Sequence, residues 1–139
     1  MILVISDYHR HENDVLRMID RHCPDVILCA GDGESNDEFY VENKIKSVAG
    51  NCDFARLPNV RIEEVGHYRI LLTHGHLYNV IFGIDRLYYL AKENNCNLVI
   101  YGHTHIQKCE EYDGITFLNP GSVLDYNYAL IDEEKIILK

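Results

Sequence analysis

The sequence predicts an α/β sandwich in which two β-rich layers carry helices on their outer sides. Apolar runs rich in β-branched residues lie at residues 1–6, 25–30 and 97–101, the pattern of strands buried on both faces. Helical patterns separate the strands of the first third, and a hairpin pattern follows later in the chain. Alternation of strands with helices predicts parallel pairing through helical crossovers, whereas the later hairpin adds antiparallel strands.

The first third predicts the order strand, helix, strand, helix, strand. Asn13 or Asp14 is positioned to cap a helix that runs to about His22, because their side chains can accept hydrogen bonds from free backbone N–H groups. A short polar helix is predicted over residues 37–43. A brief strand over residues 46–49 then leads into a glycine turn.

The second half predicts a hairpin, one amphipathic helix and further strands. Val60–Val65 and Tyr68–Thr73 flank the pair Gly66-His67 as two strands flank a turn. Apolar residues at i, i+3, i+4 and i+7 from Ile84 predict a helix with one buried face. Strands are also predicted at residues 97–101, 108–112, 115–118, 128–131 and 135–138.

Bulk composition predicts one soluble globular domain over residues 1–139. Apolar residues make up 47% of the chain and charged residues 25%, so a hydrophobic core can form. Thirteen Lys and Arg against 22 Asp and Glu give a formal charge of −9. Since phosphate backbones and anionic membranes attract positive surfaces, neither nucleic acid nor a membrane is expected as the main partner.

The cysteines and the N-terminal segment predict a cytoplasmic location. Five cysteines form an odd set without a C-x-x-C pair, which favours free thiols in a reducing compartment. The apolar run that begins at Met1 lasts five residues and lacks the basic start of a secretory leader.

Five short polar blocks follow the predicted strands and carry the functional information of the chain. An Asp and a His two residues apart in extended chain point to the same side, and so do two His in an H-x-H pair. Five of the eight His lie in these blocks. The blocks are Asp7-Tyr8-His9, Gly31-Asp32, Gly50-Asn51-Cys52-Asp53, His74-Gly75-His76 and Gly102-His103-Thr104-His105.

Each block alone has an ordinary structural explanation. Asp32 is placed like a turn or helix cap, and Asn51 after glycine is a common turn former. Together, however, the blocks bring carboxylate, amide and imidazole groups to strand ends, where an open α/β sheet has its crevice. This donor set suits divalent metals such as manganese, iron, cobalt, nickel or zinc.

The ordered blocks resemble those of the calcineurin-like metallophosphoesterase superfamily. The form Gly50-Asn51-Cys52-Asp53, with the later segment Asn119-Pro120-Gly121-Ser122, is similar to its small single-domain prokaryotic phosphodiesterase branch. The resemblance covers residues 1 to about 123. It implies an αββα fold, with two packed mixed β-sheets flanked by helices.

The same resemblance implies two divalent metal ions, with manganese as our first choice and Ni²⁺, Co²⁺, Fe²⁺, Zn²⁺ or Mg²⁺ as alternatives. A hydroxide that bridges the ions would attack the phosphorus, and Asp32 would bridge them as well. One ion would be held by Asp7, His9, Asp32 and His105. The other would be held by Asp32, Asn51, His74 and His103.

Catalytic and substrate residues follow from the resemblance and from one departure. Asp32 and His76 are the expected catalytic residues, while Asn51, Cys52 and His76 are expected to contact substrate. Many superfamily members carry His at the position of Cys52, and a thiol is a poorer proton donor to an alkoxide. Leaving groups of low pKa are therefore expected. Tyr8 and Arg10 are further candidates for contact with substrate or for the rim of the cleft.

The expected function is hydrolysis of a small phosphodiester. Two alternatives stay open: a phosphomonoesterase or dinucleotide hydrolase, and a protein-interaction scaffold on the same fold, as in the retromer subunit relative. The scaffold is disfavoured because every ligand position is filled. A chain this short has little room for a lid, so the cleft is expected to be open. Because open clefts often occur together with dimerisation, we also expect a homodimer.

Overall fold

Ten strands form two five-stranded mixed sheets, and three α-helices pack against them. The computed structural model describes residues 1–139. The strands are β1 (Ile2–Ile5), β2 (Val26–Cys29), β3 (Ile45–Ser47), β4 (Val60–Val65), β5 (Tyr68–Thr73), β6 (Leu98–Ile100), β7 (Lys108–Tyr112), β8 (Ile115–Asn119), β9 (Ala129–Asp132) and β10 (Lys135–Leu138). The helices are α1 (Glu12–His22), α2 (Asp37–Glu42) and α3 (Asp85–Glu93).

The first sheet has the order β10-β9-β1-β2-β3. Its three first strands pair in parallel, with Val4 opposite Leu28 and Leu28 opposite Lys46. The parallel pairs follow from the helical crossovers. α1 and α2 each bring the chain back to the end of the sheet at which the preceding strand began, so the next strand runs in the same direction. The two last strands of the chain add antiparallel pairs.

The second sheet has the order β4-β5-β6-β8-β7. β5, β6 and β8 are parallel, and the hairpin partners β4 and β7 are antiparallel to their neighbours. The predicted hairpin of Val60–Val65 with Tyr68–Thr73 therefore has the bounds expected from the sequence.

Buried side chains lie in three layers, which makes the molecule an αββα sandwich. The central layer joins Val4 of the first sheet to Leu72 and Ile100 of the second. One outer layer lies between the first sheet and α1 and α2, and the other lies between the second sheet and α3. Since Leu3 and Val4 face different layers, the strand is buried on both sides, as its continuous apolar run predicted. The predicted fold class is confirmed.

The start of α1 differs from the prediction, whereas its end at His22 agrees with it. α1 begins at Glu12 and its N-cap is His11, so the expected cap at Asn13 or Asp14 is wrong. Those residues lie in the first turn, where acidic groups favour the helix dipole, and a tertiary hydrogen bond from Ser35 holds the Glu12 carboxylate. None of the three helices has the length and apolar content needed to cross a bilayer. The single-domain organisation stays a prediction.

Candidate metal centre

The five polar blocks converge because the strands before them run in the same direction. Asp7 follows β1, Asp32 follows β2 and Asn51 follows β3, which are parallel neighbours in the first sheet. His74 and His103 follow the parallel strands β5 and β6 of the second sheet. The carboxyl ends of both sheets thus meet at one crevice.

Asp7, His9 and His105 form the first group of donors. Their candidate ligand atoms all lie within 4.8 Å of one another. The Nε2 atom of His105 is 3.3 Å from Asp7 Oδ1 and 3.4 Å from His9 Nε2. Residues that lie 96 positions apart are therefore within reach of one ion.

Asp32, His74 and His103 form the second group. His74 Nε2 lies 3.1 Å from Asp32 Oδ2 and 3.2 Å from His103 Nδ1. The Asn51 amide oxygen is 3.1 Å from the same His74 nitrogen. An amide oxygen thus joins one carboxylate and two imidazoles without adding charge.

Asp32 also belongs to a third set of donors. It lies with His9 and Cys52 in a set whose candidate ligand atoms are also within 4.8 Å of one another. Asp32 is therefore near donors of both groups, which is the position that a bridging carboxylate requires. All seven expected metal ligands are found at this crevice, although their roles as ligands stay a prediction.

The donor atoms are arranged to bind cations rather than to hydrogen-bond to one another. Asp7 is fully buried, and its Oδ1 atom has no hydrogen-bond partner. Buried carboxylate oxygens without a partner are rare, because desolvation is costly. The Nε2 atoms of His9, His74 and His105 lie 3.8, 3.8 and 3.3 Å from this oxygen. A divalent cation in each group would satisfy these atoms, so the residues fit the pair of metals implied by the family.

Burial, hydrogen bonds and nearby charges shift the pKa values of His74 and Asp32. The His74 Nδ1 atom donates to the Ala30 carbonyl oxygen at 2.7 Å, which leaves Nε2 directed towards the donors. Burial would lower the pKa of His74, but the hydrogen bond to Asp32 and the charges of Asp7 and Asp32 raise it. Burial would raise the pKa of Asp32, yet His74 and the Cys52 N–H together lower it to about 2.

Several ligands have strained backbone conformations that no local sequence signal predicts. Asp7, Asp32, His103 and His105 have φ values of 53°, 56°, 72° and 64°. Left-handed conformations cost free energy in residues other than glycine and persist where surrounding contacts hold them. Gly102 belongs to these surroundings, because a Cβ atom there would collide with Ser6 Oγ.

Asp53 is a supporting residue that the sequence analysis missed. Its carboxylate accepts hydrogen bonds from the backbone N–H groups of Asp32, Glu34 and Gly50 at 2.8, 2.9 and 2.7 Å. It therefore joins the loop that carries Asp32 to the loop that carries Asn51. Asp53 is the last residue of the Gly50-Asn51-Cys52-Asp53 block. Nothing in that sequence indicated that its carboxylate would accept hydrogen bonds from backbone N–H groups.

The segment 119–122 supports the first and last blocks. Ser122 Oγ donates to the Asp7 carbonyl oxygen at 2.8 Å. Asn119 Nδ2 donates to the Gly102 carbonyl oxygen at 3.2 Å, and both side chains are fully buried. The segment was noticed in the sequence only through the family resemblance, since its partners are distant along the chain.

His76 and Cys52 lie beside the donors rather than among the second group. The His76 ring centroid is 5.3 Å from that of His74 and 6.2 Å from that of His103. Burial and the charges of those two imidazoles lower the pKa of His76. The Cys52 side chain is exposed, and desolvation together with the charges of Asp32 and Glu34 raises its pKa.

Tyr8 is buried, so the expected contact of its side chain with substrate is wrong. The residue has no solvent exposure and lies in the outer core layer beneath α1 and α2. Arg10 is 76% exposed and lies 3.6 Å from Glu34, so it stays a candidate for the rim. Glu34 itself accepts a hydrogen bond from His9 Nδ1 at 2.9 Å and orients that imidazole.

An αββα sandwich with carboxylate, amide and imidazole donors at converging strand ends defines the metallophosphoesterase class. Comparison with known families agrees with this assignment. The chain matches the calcineurin-like phosphoesterase superfamily domain over residues 1–135, and it belongs to that superfamily. The predicted family is confirmed.

Individual relatives show the same similarity. The probable metallophosphoesterase YsnB of Bacillus subtilis is 33% identical over 125 residues, which cover 88% of this chain and 74% of YsnB. A predicted phosphoesterase of Streptococcus pneumoniae has a crystal structure with a TM-score of 0.81 and 34% identity, covering 88% of this chain and 72% of that chain. Phosphodiesterase YfcE of Escherichia coli is 36% identical over 95 residues, which cover 60% of this chain and 46% of YfcE.

Proposed function

We propose that this protein is a two-metal phosphodiesterase that hydrolyses a small phosphodiester. The observation that carries the proposal is the arrangement of two donor groups that meet at Asp32. When bound, two divalent cations would supply an acidified water and a positive clamp for the phosphate oxygens. Mixed imidazole and carboxylate donors favour manganese, iron, cobalt, nickel or zinc over Mg²⁺, which prefers sites built from oxygen ligands alone. Manganese is our first choice among them, partly because of the family.

The protein's own residues would hold and orient these partners. Asp7, His9 and His105 would bind one cation together with Asp32. Asn51, His74 and His103 would bind the other, again with Asp32. The hydrogen bond from His74 to the Ala30 carbonyl oxygen supports this assignment, because it leaves the other ring nitrogen free for a metal.

His76 would contact the phosphate as a neutral imidazole. Its lowered pKa keeps the ring unprotonated near neutral pH, so a hydrogen bond to substrate is favoured over proton donation. Cys52 would contact the leaving group. Its raised pKa keeps the thiol protonated, but a thiol is a poorer proton donor to an alkoxide than an imidazolium is. The site therefore favours leaving groups that depart without a proton, such as aryl oxides.

The substrate preference is tested with two chromogenic esters. The purified protein with Mn²⁺ should hydrolyse bis-p-nitrophenyl phosphate faster than p-nitrophenyl phosphate, and an alkyl p-nitrophenyl diester should release nitrophenol rather than the alcohol. A higher kcat/KM for the monoester would favour the phosphomonoesterase alternative. Dinucleotides provide the third substrate, and efficient cleavage of these would favour the dinucleotide hydrolase.

The role of Asp32 is tested by replacement with Asn. Asp32→Asn keeps the size of the side chain but removes the shared charge, so kcat should fall by at least about a hundredfold. Asp125→Asn is the matched control, since that side chain is exposed and makes no hydrogen bond. Equal turnover of Asp32→Asn and the parent protein would contradict the bridging assignment.

Two exposed apolar side chains favour the scaffold alternative. Phe82 is 88% exposed and Ile81 67% exposed, in the turn that follows His76. Exposed apolar side chains of this kind often contact other proteins. Absence of hydrolysis with Mn²⁺, Ni²⁺, Co²⁺ and Zn²⁺ would favour the scaffold. The homodimer and the cytoplasmic location stay predictions.

A further inference from the structure

The side chain of Tyr8 points away from the donors although both neighbours in the chain point towards them. Its ring is fully buried in the core layer beneath α1, together with Val15 and Met18. The ring centroid of Phe39 in α2 is 6.2 Å from that of Tyr8. Tyr8 thus ties the first ligand block to the interior of the protein.

The Tyr8 hydroxyl begins a directed chain of hydrogen bonds. Ser35 Oγ donates to Glu12 Oε2 at 2.5 Å, so the serine proton is committed to the carboxylate. The Tyr8 hydroxyl lies 2.7 Å from the same Ser35 oxygen and therefore donates to it. A tyrosine hydroxyl is protonated at neutral pH, so it has the proton that this bond requires. We call Tyr8, Ser35 and Glu12 the tyrosine relay.

The tyrosine relay joins three segments that meet at the metal centre. Tyr8 lies in the loop after β1, Ser35 in the loop after β2, and Glu12 at the start of α1. The two loops also share backbone hydrogen bonds, from His9 N to the Asp32 carbonyl oxygen at 3.0 Å and from Arg10 N to the Gly33 carbonyl oxygen at 2.8 Å. The relay adds a side-chain connection beneath these bonds.

The loop that the relay holds is strained. Asp7, His9 and Arg10 have φ values of 53°, 38° and 72°. A conformation of this kind needs restraint from several directions, since each left-handed residue costs about 1 kcal/mol or more. The fit between the loops is also close at Gly33, because a Cβ atom there would collide with the Tyr8 ring. A glycine at this position and a tyrosine at position 8 therefore depend on each other.

We propose that Tyr8 is a positioning residue, whose hydroxyl acts through Ser35 and Glu12 to hold the ligands of the first metal in place. The inference rests on the proposed function, because it concerns the affinity of the donors for divalent cations. Groups that orient metal ligands from outside the coordination sphere change metal affinity by about 10 to 100-fold when they are removed.

The test is titration of the metal-free protein with Mn²⁺ by calorimetry. Tyr8→Phe keeps the ring and removes the hydroxyl, so the Kd for Mn²⁺ should rise by about 10-fold. Tyr128→Phe is the matched control. Tyr128 packs against the same core layer, and its hydroxyl hydrogen-bonds His22 Nε2 at 2.8 Å, at the far end of α1. The control variant should bind Mn²⁺ like the parent protein.

Unfolding of the metal-free variants separates positioning from stability. If the relay only stabilises the fold, Tyr8→Phe will lower the unfolding temperature and leave the Kd unchanged, which would overturn the proposal. Ser35→Ala interrupts the relay at its centre and provides a second variant if Tyr8→Phe does not fold. The double variant Tyr8→Phe/Ser35→Ala should bind Mn²⁺ no more weakly than either single variant does. If the two increases in Kd multiply instead, the residues act independently and the relay is overturned.

The titration distinguishes this inference from the proposed function. A parent protein that binds none of Mn²⁺, Ni²⁺, Co²⁺ and Zn²⁺ would refute the metal centre itself. A parent protein that binds Mn²⁺, with Tyr8→Phe binding equally well, would refute only the positioning role of Tyr8.

Discussion

Replacement of Asp53 by Ala should destabilise the protein and weaken metal binding together. The Asp53 carboxylate accepts three backbone hydrogen bonds, which hold the loop of Asp32 against the loop of Asn51. A hydrogen bond to a charged group contributes about 1.5 to 3 kcal/mol. Asp53 is half-buried, so water can reach part of the space left by truncation. We therefore expect a loss of about 3 kcal/mol in the free energy of unfolding, below the sum of three independent bonds.

Asp53→Asn should fall between the parent protein and Asp53→Ala. One carboxylate oxygen of Asp53 accepts from Asp32 N and Gly50 N, and the other accepts from Glu34 N. An amide has one acceptor oxygen, so it can keep two of these bonds but turns an NH₂ group towards the third donor. The expected loss is about 1 to 2 kcal/mol.

The assay is thermal and urea unfolding of the metal-free protein, followed by Mn²⁺ titration. For a chain of this size, a loss of about 3 kcal/mol corresponds to a fall of about 10 °C in Tm. Asp125→Ala is the control for loss of an exposed carboxylate. A fall for Asp53→Ala no larger than that of Asp125→Ala would show that the three hydrogen bonds do not anchor the loops, and the reasoning would be refuted.

Two further predictions concern the same site. In the metal-free protein, Asp32 has a pKa of about 2 against 3.8 ordinarily, so its ionised form contributes stability above about pH 4 that is lost as the pH falls towards 2. The unfolding temperature should therefore fall more between pH 5 and pH 2 in the parent protein than in Asp32→Asn, and equal falls would contradict the shift. A Cβ in Gly102→Ala would collide with Ser6 Oγ and lie 2.7 Å from Asp7 Oδ2. We expect a loss of about 2 kcal/mol in stability and a measurable rise in the Kd for Mn²⁺, whereas parental values for both would show that the loop has room to shift.

Much of the fold was predictable because its signals are local. The apolar run at β1 indicated a strand buried on both faces, and Val4 and Leu3 do face different core layers. The hairpin of β4 and β5 was predicted within its bounds, since Gly66-His67 interrupts two strand patterns. The start of α1 was not predictable, because a hydrogen bond from Ser35, distant in sequence, holds Glu12 in the first turn.

The sequence by itself determined the types of donor and the order of the blocks, because motif spacing and strand periodicity are properties of neighbouring residues. Only the tertiary structure decided that Asp32 lies near both donor groups, that Asp53 anchors two loops and that Tyr8 faces the core. These facts depend on how parallel strand ends from two sheets meet and on strained loops such as that of Asp7, whose φ of 53° is held by distant contacts. The conformational preferences of neighbouring residues do not predict such contacts, because the partners come close only when the sheets pack.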